Sequence, residues 1–291
     1  MVGVREIQKI LRKFGIKLDP MLDQNIMIDD NFLKLIIESA NLHEKDVVLE
    51  IGAGSGILTR KIAEKAGYVI AIEIDERFKG VLEEELSGFR NVKILIGNAL
   101  KIKFPEFNKV IGNLPFSICD SILKKLSRYH FDLGVVTIPK SLAMKIKDEN
   151  PVSKLTLLLN STFEIHLLSE VPRDSFYPIP STDAMIVKLL RRKYSESNIF
   201  LYFVKEVLLQ EDKKLKNALV EALIRSWDKI LKKKLTKRGA KEIVRAAEIN
   251  KDLLEEKIAS IPSEKIFEVF GTFKPIFSES DSLPQLKNFI V

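Results

Sequence analysis

This chain contains few residues of the kinds that build disulfides, metal clusters and membrane spans. Of its 291 residues, one is cysteine, three are histidine and one is tryptophan. The single cysteine, Cys119, excludes an internal disulfide and a multi-cysteine cluster, and we expect no metal site. No apolar stretch reaches the roughly 20 residues that span a bilayer, and the N-terminus lacks the apolar core of a signal peptide. We therefore expect a soluble, cytoplasmic, monomeric protein with no membrane partner.

The net charge of +7 is concentrated in the last third of the chain. Residues 1–190 carry 26 Lys and Arg against 25 Asp and Glu, whereas residues 191–291 carry 21 against 15. The basic runs are RRK, KKLK and KKKLTKRGAK, which begin at residues 191, 213 and 232. Such a surface suits a polyanion such as nucleic acid, but a solvated helix surface explains Lys-rich helices more often. Charge alone therefore identifies no partner.

Short apolar runs alternate with amphipathic stretches between residues 46 and 140. The runs are DVVLEIG, YVIAIEID, NVKILIG, NKVIGN and DLGVVTIP, and STFEIHLLSEV and TDAMIVKLL follow them. This pattern predicts an α/β fold in which helices cover both faces of a mainly parallel sheet. After about residue 195 the periodicity becomes helical. We predict a catalytic domain over residues 1–194 and a small, basic, all-α domain over residues 195–291.

The first predicted sheet strand leads into the glycine-rich stretch EIGAGSGILT. Gly52, Gly54 and Gly56 predict a tight turn between strand and helix, where a ligand can approach the backbone closely. A lone glycine pattern is a weak signal, because a simple strand-to-helix turn has the same composition. The pattern gains weight only if other ligand-binding groups follow the neighbouring strands.

Two polar residues follow the next two predicted strands. Glu73 ends the second strand, where its carboxylate can accept hydrogen bonds from both ribose hydroxyls of an adenosine cofactor. Asn98 follows the third strand and is placed either to pair with an adenine edge or to cap the next turn. Nicotinamide dinucleotides and S-adenosylmethionine both fit this arrangement. The absence of glycine at position 57 favours S-adenosylmethionine modestly.

The fourth strand ends in the unusual tetrapeptide Asn113, Leu114, Pro115 and Phe116. Parallel sheets bind ligands at the carboxyl ends of their strands, so these residues should face the glycine turn. If the Asn113 side-chain oxygen and the Leu114 carbonyl both accept from a purine amine, its lone pair is freed for methyl transfer from a sulfonium. Pro115 would keep the backbone rigid, and Phe116 would stack on a base taken out of its helix. The alternative is a strand-terminating turn with Phe116 in the core.

These residues together resemble the ribosomal RNA adenine dimethyltransferases, the erythromycin-resistance methyltransferases and the mitochondrial transcription factors of B type. The resemblance runs from about residue 11 to 190 and continues more weakly into the helical tail. It rests on DQNIMID, EIGAGSGILT, AIEID, GNAL, GNLPF and FYPIP. It implies a class I methyltransferase fold, S-adenosylmethionine as methyl donor, and two methylations of adenine amines near the end of small-subunit ribosomal RNA.

The resemblance also implies roles for individual residues. The implied cofactor-binding residues are Gln24, Asn25, Met27, Gly52, Glu73, Asn98 and Asn113. The residues from Asn113 to Phe116 would hold the target adenine, with Phe176 on the other face of the base. The tail would help to bind ribosomal RNA or a pre-ribosomal small subunit.

Several departures from the family pattern lie on the substrate side. Asp19 and Asp23 occupy a segment that is usually basic, so a phosphate contact is expected to be lost. Asn98 replaces an aspartate and Phe116 a tyrosine. Three interpretations remain open: the usual activity, a methyltransferase with a changed target, and an RNA-binding assembly factor that has lost turnover. Methylation of a protein amide or a DNA base fits less well, because of Leu114 and the basic tail.

Overall fold

The structure is a computed structural model that describes residues 3–148 and 153–278. The chain forms two compact units. The first comprises residues 1–149 and 163–191, and the second comprises residues 150–162 and 192–291. The second unit thus includes a helix that precedes the last strands of the first, which the predicted boundary at 194/195 did not anticipate. The roles assigned to residues 1–194 and 195–291 stay predictions.

The strands of the first unit form a seven-stranded sheet and a two-stranded ribbon. Within the described residues they are β1 Ile26–Met27, β2 Val47–Ile51, β3 Tyr68–Glu73, β4 Val92–Ile96, β5 Lys109–Asn113, β6 Leu133–Pro139, β7 Phe163–Val171, β8 Phe176–Tyr177 and β9 Ala184–Arg191. The large sheet has the order β4-β3-β2-β5-β6-β9-β7, and β1 pairs with β8. The neighbours from β4 to β6 are parallel, while β9 is antiparallel to β6 and β7.

The α/β fold predicted from the sequence is confirmed. The helices of the first unit are α1 Val4–Lys13, α2 Asp30–Ala40, α3 Ile57–Ala63, α4 Lys79–Glu85, α5 Cys119–Leu126 and α6 Lys140–Lys147. The central strands are near-continuous Val and Ile because helices bury them on both sides. One core cluster joins apolar residues of α1, α2, α3 and α4 to the strand residues Val48, Val69 and Ile111.

The described residues of the second unit form helices joined by loops, with an isolated β-bridge between Lys214 and Lys257. Its helices are α7 Lys154–Thr162, α8 Ile199–Leu208, α9 Leu215–Ser226, α10 Lys237–Ala246, α11 Lys251–Glu255 and α12 Ser263–Ser278. They enclose their own core, in which Phe203 and Phe273 are fully buried and Trp227 nearly so. Among residues 3–148 and 153–278, no helix is long and apolar enough to cross a membrane.

Glu50 is an exception to the apolar composition of the central strands. It lies in β2 and is 0% exposed, and neither carboxyl oxygen has a hydrogen-bond partner within the described residues. Burial, with a smaller contribution from the charge of Glu73, raises the pKa of Glu50 to about 8. The neighbouring Thr59 hydroxyl opposes this increase in the pKa, although within the described residues it makes no hydrogen bond of ordinary geometry. Glu50 therefore keeps its proton at neutral pH, because ionisation would leave a buried, unpaired charge.

We predict that Glu50→Gln removes a pH-dependent penalty on folding. In the unfolded chain Glu50 ionises near its ordinary pKa of 4.5, whereas in the folded chain it stays protonated up to about pH 8. The wild-type free energy of unfolding should therefore fall as pH rises through this window, by roughly 3–5 kcal/mol from this group. The glutamine variant should lack this decrease. Urea unfolding of the wild type and the variant at pH 5 and pH 8 measures the two free energies of unfolding.

The matched control is Glu106→Gln, which changes an exposed glutamate of the same unit. This variant should follow the wild-type pH profile. Parallel profiles for wild type and Glu50→Gln would show that Glu50 is ionised or solvated in the folded protein.

Candidate active site

A cavity lies at the carboxyl ends of β2 to β5, in the first unit. The space within it, which includes solvent at its open mouth, is about 930 Å³. Each of these four strands delivers a loop to its wall. The lining residues from these loops are Gly52, Ala53, Gly54, Ser55, Glu73, Ile74, Gly97, Asn98, Ala99, Asn113 and Pro115. The parallel sheet therefore brings the predicted ligand-binding groups together, although they span more than 60 positions (113 minus 52) in the sequence.

The three glycines of the turn have positive φ angles but different surroundings. Their φ values are +82° at Gly52, +51° at Gly54 and +80° at Gly56. A Cβ on Gly52 would lie 3.3 Å from the Asn113 carbonyl oxygen, and one on Gly56 would lie 3.2 Å from Leu82. A Cβ on Gly54 would meet nothing within 4 Å. Gly52 and Gly54 both line the cavity, and Gly54 is the one of the two with open space around an added Cβ. Gly56 lies outside the lining and is the N-cap of α3.

Glu73 connects the end of β3 to the glycine turn. Its two carboxylate oxygens accept hydrogen bonds from the backbone N–H groups of Gly54 at 2.8 Å and Asp75 at 2.9 Å. Burial raises the pKa of Glu73, and these N–H donors oppose the increase. Each oxygen still has a lone pair to offer. The carboxylate is therefore held in a fixed orientation from which it can accept further hydrogen bonds at the cavity wall.

Gln24 lines the cavity, but its polar atoms are used within the protein. Its side-chain oxygen accepts from the backbone N–H of Asp19 at 2.6 Å, and its nitrogen donates to Asp75 at 2.7 Å. Asp75 also pairs with Arg77, which is the main cause of its lowered pKa. The sequence analysis did not predict this network. Its sign in the sequence is Asp75, an acidic residue two positions after Glu73. These bonds fix the Gln24 side chain in the wall, and they leave one N–H and one lone pair of its amide for a ligand. Its predicted role in cofactor binding stays a prediction.

Asn98 caps the turn after β4. Its side-chain oxygen accepts from the backbone N–H of Leu100 at 2.8 Å. Asn98 therefore caps the turn, which is one of the two roles that the sequence left open. With its oxygen engaged in this bond, the amide nitrogen is left to donate to other partners. Because Asn98 also lines the cavity, that nitrogen can donate to a ring nitrogen of a bound purine. The exposed side chain of Ile74, at 41%, adds an apolar surface that was not predicted from the sequence.

Asn113 has one hydrogen-bonding group engaged and one without a partner. Its amide nitrogen donates to the backbone carbonyl of Asn25 at 2.6 Å. A carbonyl can only accept, so this bond fixes which end of the amide is the nitrogen. The side-chain oxygen is buried and has no hydrogen-bond partner within the described residues. Such an orphaned acceptor is costly, and it marks a position for a donor from outside the protein.

The Leu114 carbonyl is the second acceptor predicted for the target amine, beside Asn113. Within the described residues its contact is the Cys119 thiol at 3.9 Å, a weak donor. The Pro115 carbonyl, in contrast, accepts from the Ile118 N–H at 3.2 Å. Burial raises the pKa of the Cys119 thiol, which therefore stays protonated and unreactive. Asn113 lines the cavity, whereas Leu114 is 1% exposed and is not among the lining residues. The role of the Leu114 carbonyl as a second acceptor therefore stays a prediction.

The two aromatic residues predicted to sandwich a base contact each other. The rings of Phe116 and Phe176 meet edge to face, with centroids 6.4 Å apart and planes at 77°. Phe116 is half-buried, whereas Phe176 is 1% exposed. Neither phenylalanine is among the residues that line the cavity. Phe116 keeps part of its surface exposed for stacking, whereas a base could stack on Phe176 only after displacing neighbouring side chains. The role of Phe176 stays a prediction.

Asp23 ties the segment before β1 to the segment after β5. Its carboxylate accepts from the backbone N–H of Ser117 at 2.7 Å, and its backbone has a φ of +49°. Met27 and Asn25 also line the cavity. Asp23, which departs from the family pattern, thus has a structural role as the acceptor of this hydrogen bond. The sequence analysis did not predict this bond. It supports the loop that carries Asn113.

Comparison with known proteins agrees with this geometry. A family model described as ribosomal RNA adenine dimethylase matches residues 16–257. The chain belongs to the ribosomal RNA adenine dimethylase family. The resemblance inferred from the sequence motifs is therefore confirmed, and so is the class I methyltransferase fold.

Individual relatives match over most of their length. The chain is 37% identical to a probable ribosomal RNA small subunit methyltransferase A of Methanosarcina mazei, over 74% of this chain and 81% of the relative. It is 32% identical to the protein of the same description from Methanopyrus kandleri, over 92% of this chain and 97% of the relative. A dimethyladenosine transferase from Plasmodium falciparum has the same fold, with a TM-score of 0.58, 24% identity and coverage of 86% and 98%.

Proposed function

We propose that this protein transfers methyl groups from S-adenosylmethionine to the exocyclic amine of adenine in small-subunit ribosomal RNA, forming dimethyladenosine. Family membership supports the reaction class. The observation that carries the proposal is the buried, unpartnered side-chain oxygen of Asn113 on the cavity wall. We further propose that the protein acts as a cytoplasmic monomer on ribosomal RNA or a pre-ribosomal small subunit.

The cavity residues fit an adenosyl cofactor. Gly54 leaves room for a ligand against the backbone, the Glu73 carboxylate can accept from ribose hydroxyls, and Asn98 can donate to the adenine ring. The apolar Ile74 side chain can cover one face of that ring. When bound, S-adenosylmethionine supplies an electrophilic methyl group on its sulfonium. Gly56 would act indirectly, by shaping the turn, whereas Gln24 would contact the cofactor from the wall.

The protein's part in the transfer is to prepare the amine. The lone pair of an adenine amine is delocalised into the ring, which makes the nitrogen a poor nucleophile. In the first transfer, hydrogen bonds from its two N–H groups to Asn113 and to the Leu114 carbonyl would favour a tetrahedral nitrogen, whose lone pair can attack. In the second transfer the amine has one N–H left, which would donate to one of these two acceptors. Each transfer releases one amine proton, which passes to solvent. Pro115 has no N–H to compete for these acceptors. Phe116 would hold the base by stacking.

RNA binding by the second unit rests on a cluster of unpaired cations. Lys229, Lys232, Lys233, Lys234, Lys237, Arg238 and Lys241 form what we call the 229–241 cluster. None of them makes an ion pair within 4.0 Å to a described residue. In the same unit Lys213 pairs with Glu221, and Lys214 and Lys216 pair with Glu255. The 229–241 cluster therefore provides the uncompensated charge that RNA phosphates require.

We predict that Gly54→Ala abolishes tight cofactor binding without unfolding the protein. The added methyl group meets no protein atom within 4 Å, and Gly54 lines the space proposed for the ligand, so the methyl group should compete with the ligand for that space. Titration with S-adenosylhomocysteine should show a dissociation constant raised at least about 10-fold.

The matched control is Gly15→Ala. Gly15 has a φ of +63° and likewise open space around the added methyl group, but it lies outside the cavity. Both variants should lose about 1–2 kcal/mol of stability through backbone strain. Equal S-adenosylhomocysteine affinity in the two variants would contradict the assignment of the glycine turn.

We predict that Asn113→Ala lowers the rate of methyl transfer about 10²- to 10³-fold, because one acceptor for the amine is lost. Asn113→Asp should also be impaired, since a carboxylate cannot donate to the Asn25 carbonyl. Labelled S-adenosylmethionine and unmodified small-subunit RNA, followed by nucleoside analysis, provide the measurement.

Asn91→Ala is the control for loss of a structural asparagine. The Asn91 amide donates to the Ala63 and Ala66 carbonyls, away from the cavity. This variant should lose stability but keep the transfer rate. An Asn113→Ala variant that transfers methyl groups within threefold of wild type would refute the proposed chemistry. Wild-type transfer to a different nucleoside would support the changed-target interpretation instead.

We predict that replacing Lys232, Lys233 and Lys234 with glutamine weakens RNA binding and reduces its salt dependence. Loss of three phosphate contacts should lower the slope of log K against log salt by about 2–3. Filter binding to small-subunit RNA between 50 and 200 mM salt, about the range where such contacts act, measures the slope.

The charge-matched control replaces Lys213, Lys214 and Lys216, whose ammonium groups pair with Glu221 and Glu255. It should change the slope much less. Equal slopes in the two triple variants would show that the 229–241 cluster has no special role.

A further inference from the structure

Helix α1 has a buried face and a basic face. Ile7 and Leu11 are buried in the core of the first unit. Arg5, Lys9 and Arg12 are exposed, and their spacing of four and three residues places them on the opposite side of the helix. The packed inner face fixes the helix, so its basic face is a rigid surface rather than a mobile arm.

No acidic side chain neutralises this basic face. Within the described part of the chain, Arg5, Lys9 and Arg12 make no ion pair within 4.0 Å. The neighbouring cation Lys13 lies off this face and pairs with Glu84. The first unit as a whole has a net charge close to zero. The three positive charges on one face of α1 are therefore a local feature that the net charge of the unit does not reveal.

The basic face borders a groove. An open depression of about 790 Å³ lies between α1 and the segment after β8, and its lining includes Arg12, Lys17, Tyr177 and Pro178. A second depression, lined by Arg5, Gln8, Lys9 and Arg12, adjoins it along the helix. Gln8 lines both and donates to the Tyr177 hydroxyl at 3.4 Å. The surface is thus continuous from the start of α1 to Pro178.

This groove is structurally connected to the proposed target site. Tyr177 pairs with Ile26, and the adjacent Phe176 pairs with Met27, which lines the cavity. Phe176 in turn contacts the ring of Phe116, three positions after Asn113. A nucleotide strand whose target base enters beside Phe116 could therefore continue along β8 onto the groove.

We infer that the groove between α1 and Tyr177–Pro178, with Arg5, Lys9 and Arg12, binds the phosphate backbone of the RNA strand next to the target nucleotide. This inference rests on the proposed function. The inference assigns to α1 the contact with RNA phosphates that the acidic residues Asp19 and Asp23 cannot make. Three cations spaced along one helix face suit successive phosphodiesters, and Tyr177 at the end of the groove can contact a sugar or base.

The test compares two triple variants of the full chain. The first is Arg5→Gln, Lys9→Gln and Arg12→Gln. The control is Lys45→Gln, Arg90→Gln and Lys93→Gln, which removes the same charge from exposed positions at the amino ends of the strands, far from the carboxyl-end cavity. Both keep the buried residues of α1. Thermal unfolding checks that both variants remain folded.

Binding to an unmodified small-subunit RNA transcript is measured with S-adenosylhomocysteine present, together with methyl transfer. The α1 variant should bind at least about 10-fold more weakly at 150 mM salt, with a slope of log K against log salt lower by about 2–3. Its KM for RNA should rise, while its rate at saturating RNA and its S-adenosylhomocysteine affinity stay at wild-type values. The control should match wild type.

The outcomes separate this inference from the proposed function. An α1 variant that binds RNA like the control overturns the inference even if wild type methylates RNA normally. If wild type binds the transcript but methylates none, the proposed function fails, and the comparison of the two variants still decides the role of α1. If wild type binds no RNA, both proposals fall.

Discussion

The hydrogen bond from the Asn113 amide to the Asn25 carbonyl is the constraint on which the site depends. It fixes the direction of the amide, and it leaves the side-chain oxygen buried and, within the described residues, unpartnered. An orphaned acceptor lowers the stability of the protein unless a ligand donates to it. Asp23, through its bond to the Ser117 N–H, supports the same junction between the segments before β1 and after β5. The protein thus maintains an unsatisfied group in a fixed position, which is the form that preorganised catalysis requires.

The sequence was sufficient to predict the fold and to place the loops that line the cavity at one edge of the sheet. Alternating apolar runs indicated the parallel sheet, and residues that follow such strands must meet at one edge. Gly54, Glu73, Asn98 and Asn113 therefore line one cavity, as expected. These predictions succeeded because each depends on local pattern and on a general property of parallel sheets.

The remaining features depend on contacts between residues distant in the sequence. The Gln24–Asp75 and Asp23–Ser117 bonds join positions 51 and 94 residues apart, and no local pattern reports them. The boundary between the units was inexact because α7 precedes β7 in the sequence but groups with the later helices. Counting charges by segment identified the basic tail, but it did not reveal the basic face of α1. The acidic residues elsewhere in residues 1–190 nearly cancel the positive charges of α1 in the count. The burial of Phe176 beside Phe116 likewise has no signal in the local pattern.

The account's central claim is that the Asn113 oxygen accepts a hydrogen bond from the target amine. The most direct measurement is a crystal structure of the protein with S-adenosylhomocysteine and an RNA oligonucleotide that contains the target adenosine. The account predicts the adenine amine nitrogen about 2.7–3.2 Å from the Asn113 side-chain oxygen, with the amide nitrogen still on the Asn25 carbonyl. An amine bound elsewhere in the cavity, or an Asn113 side chain turned away from the base, would contradict it.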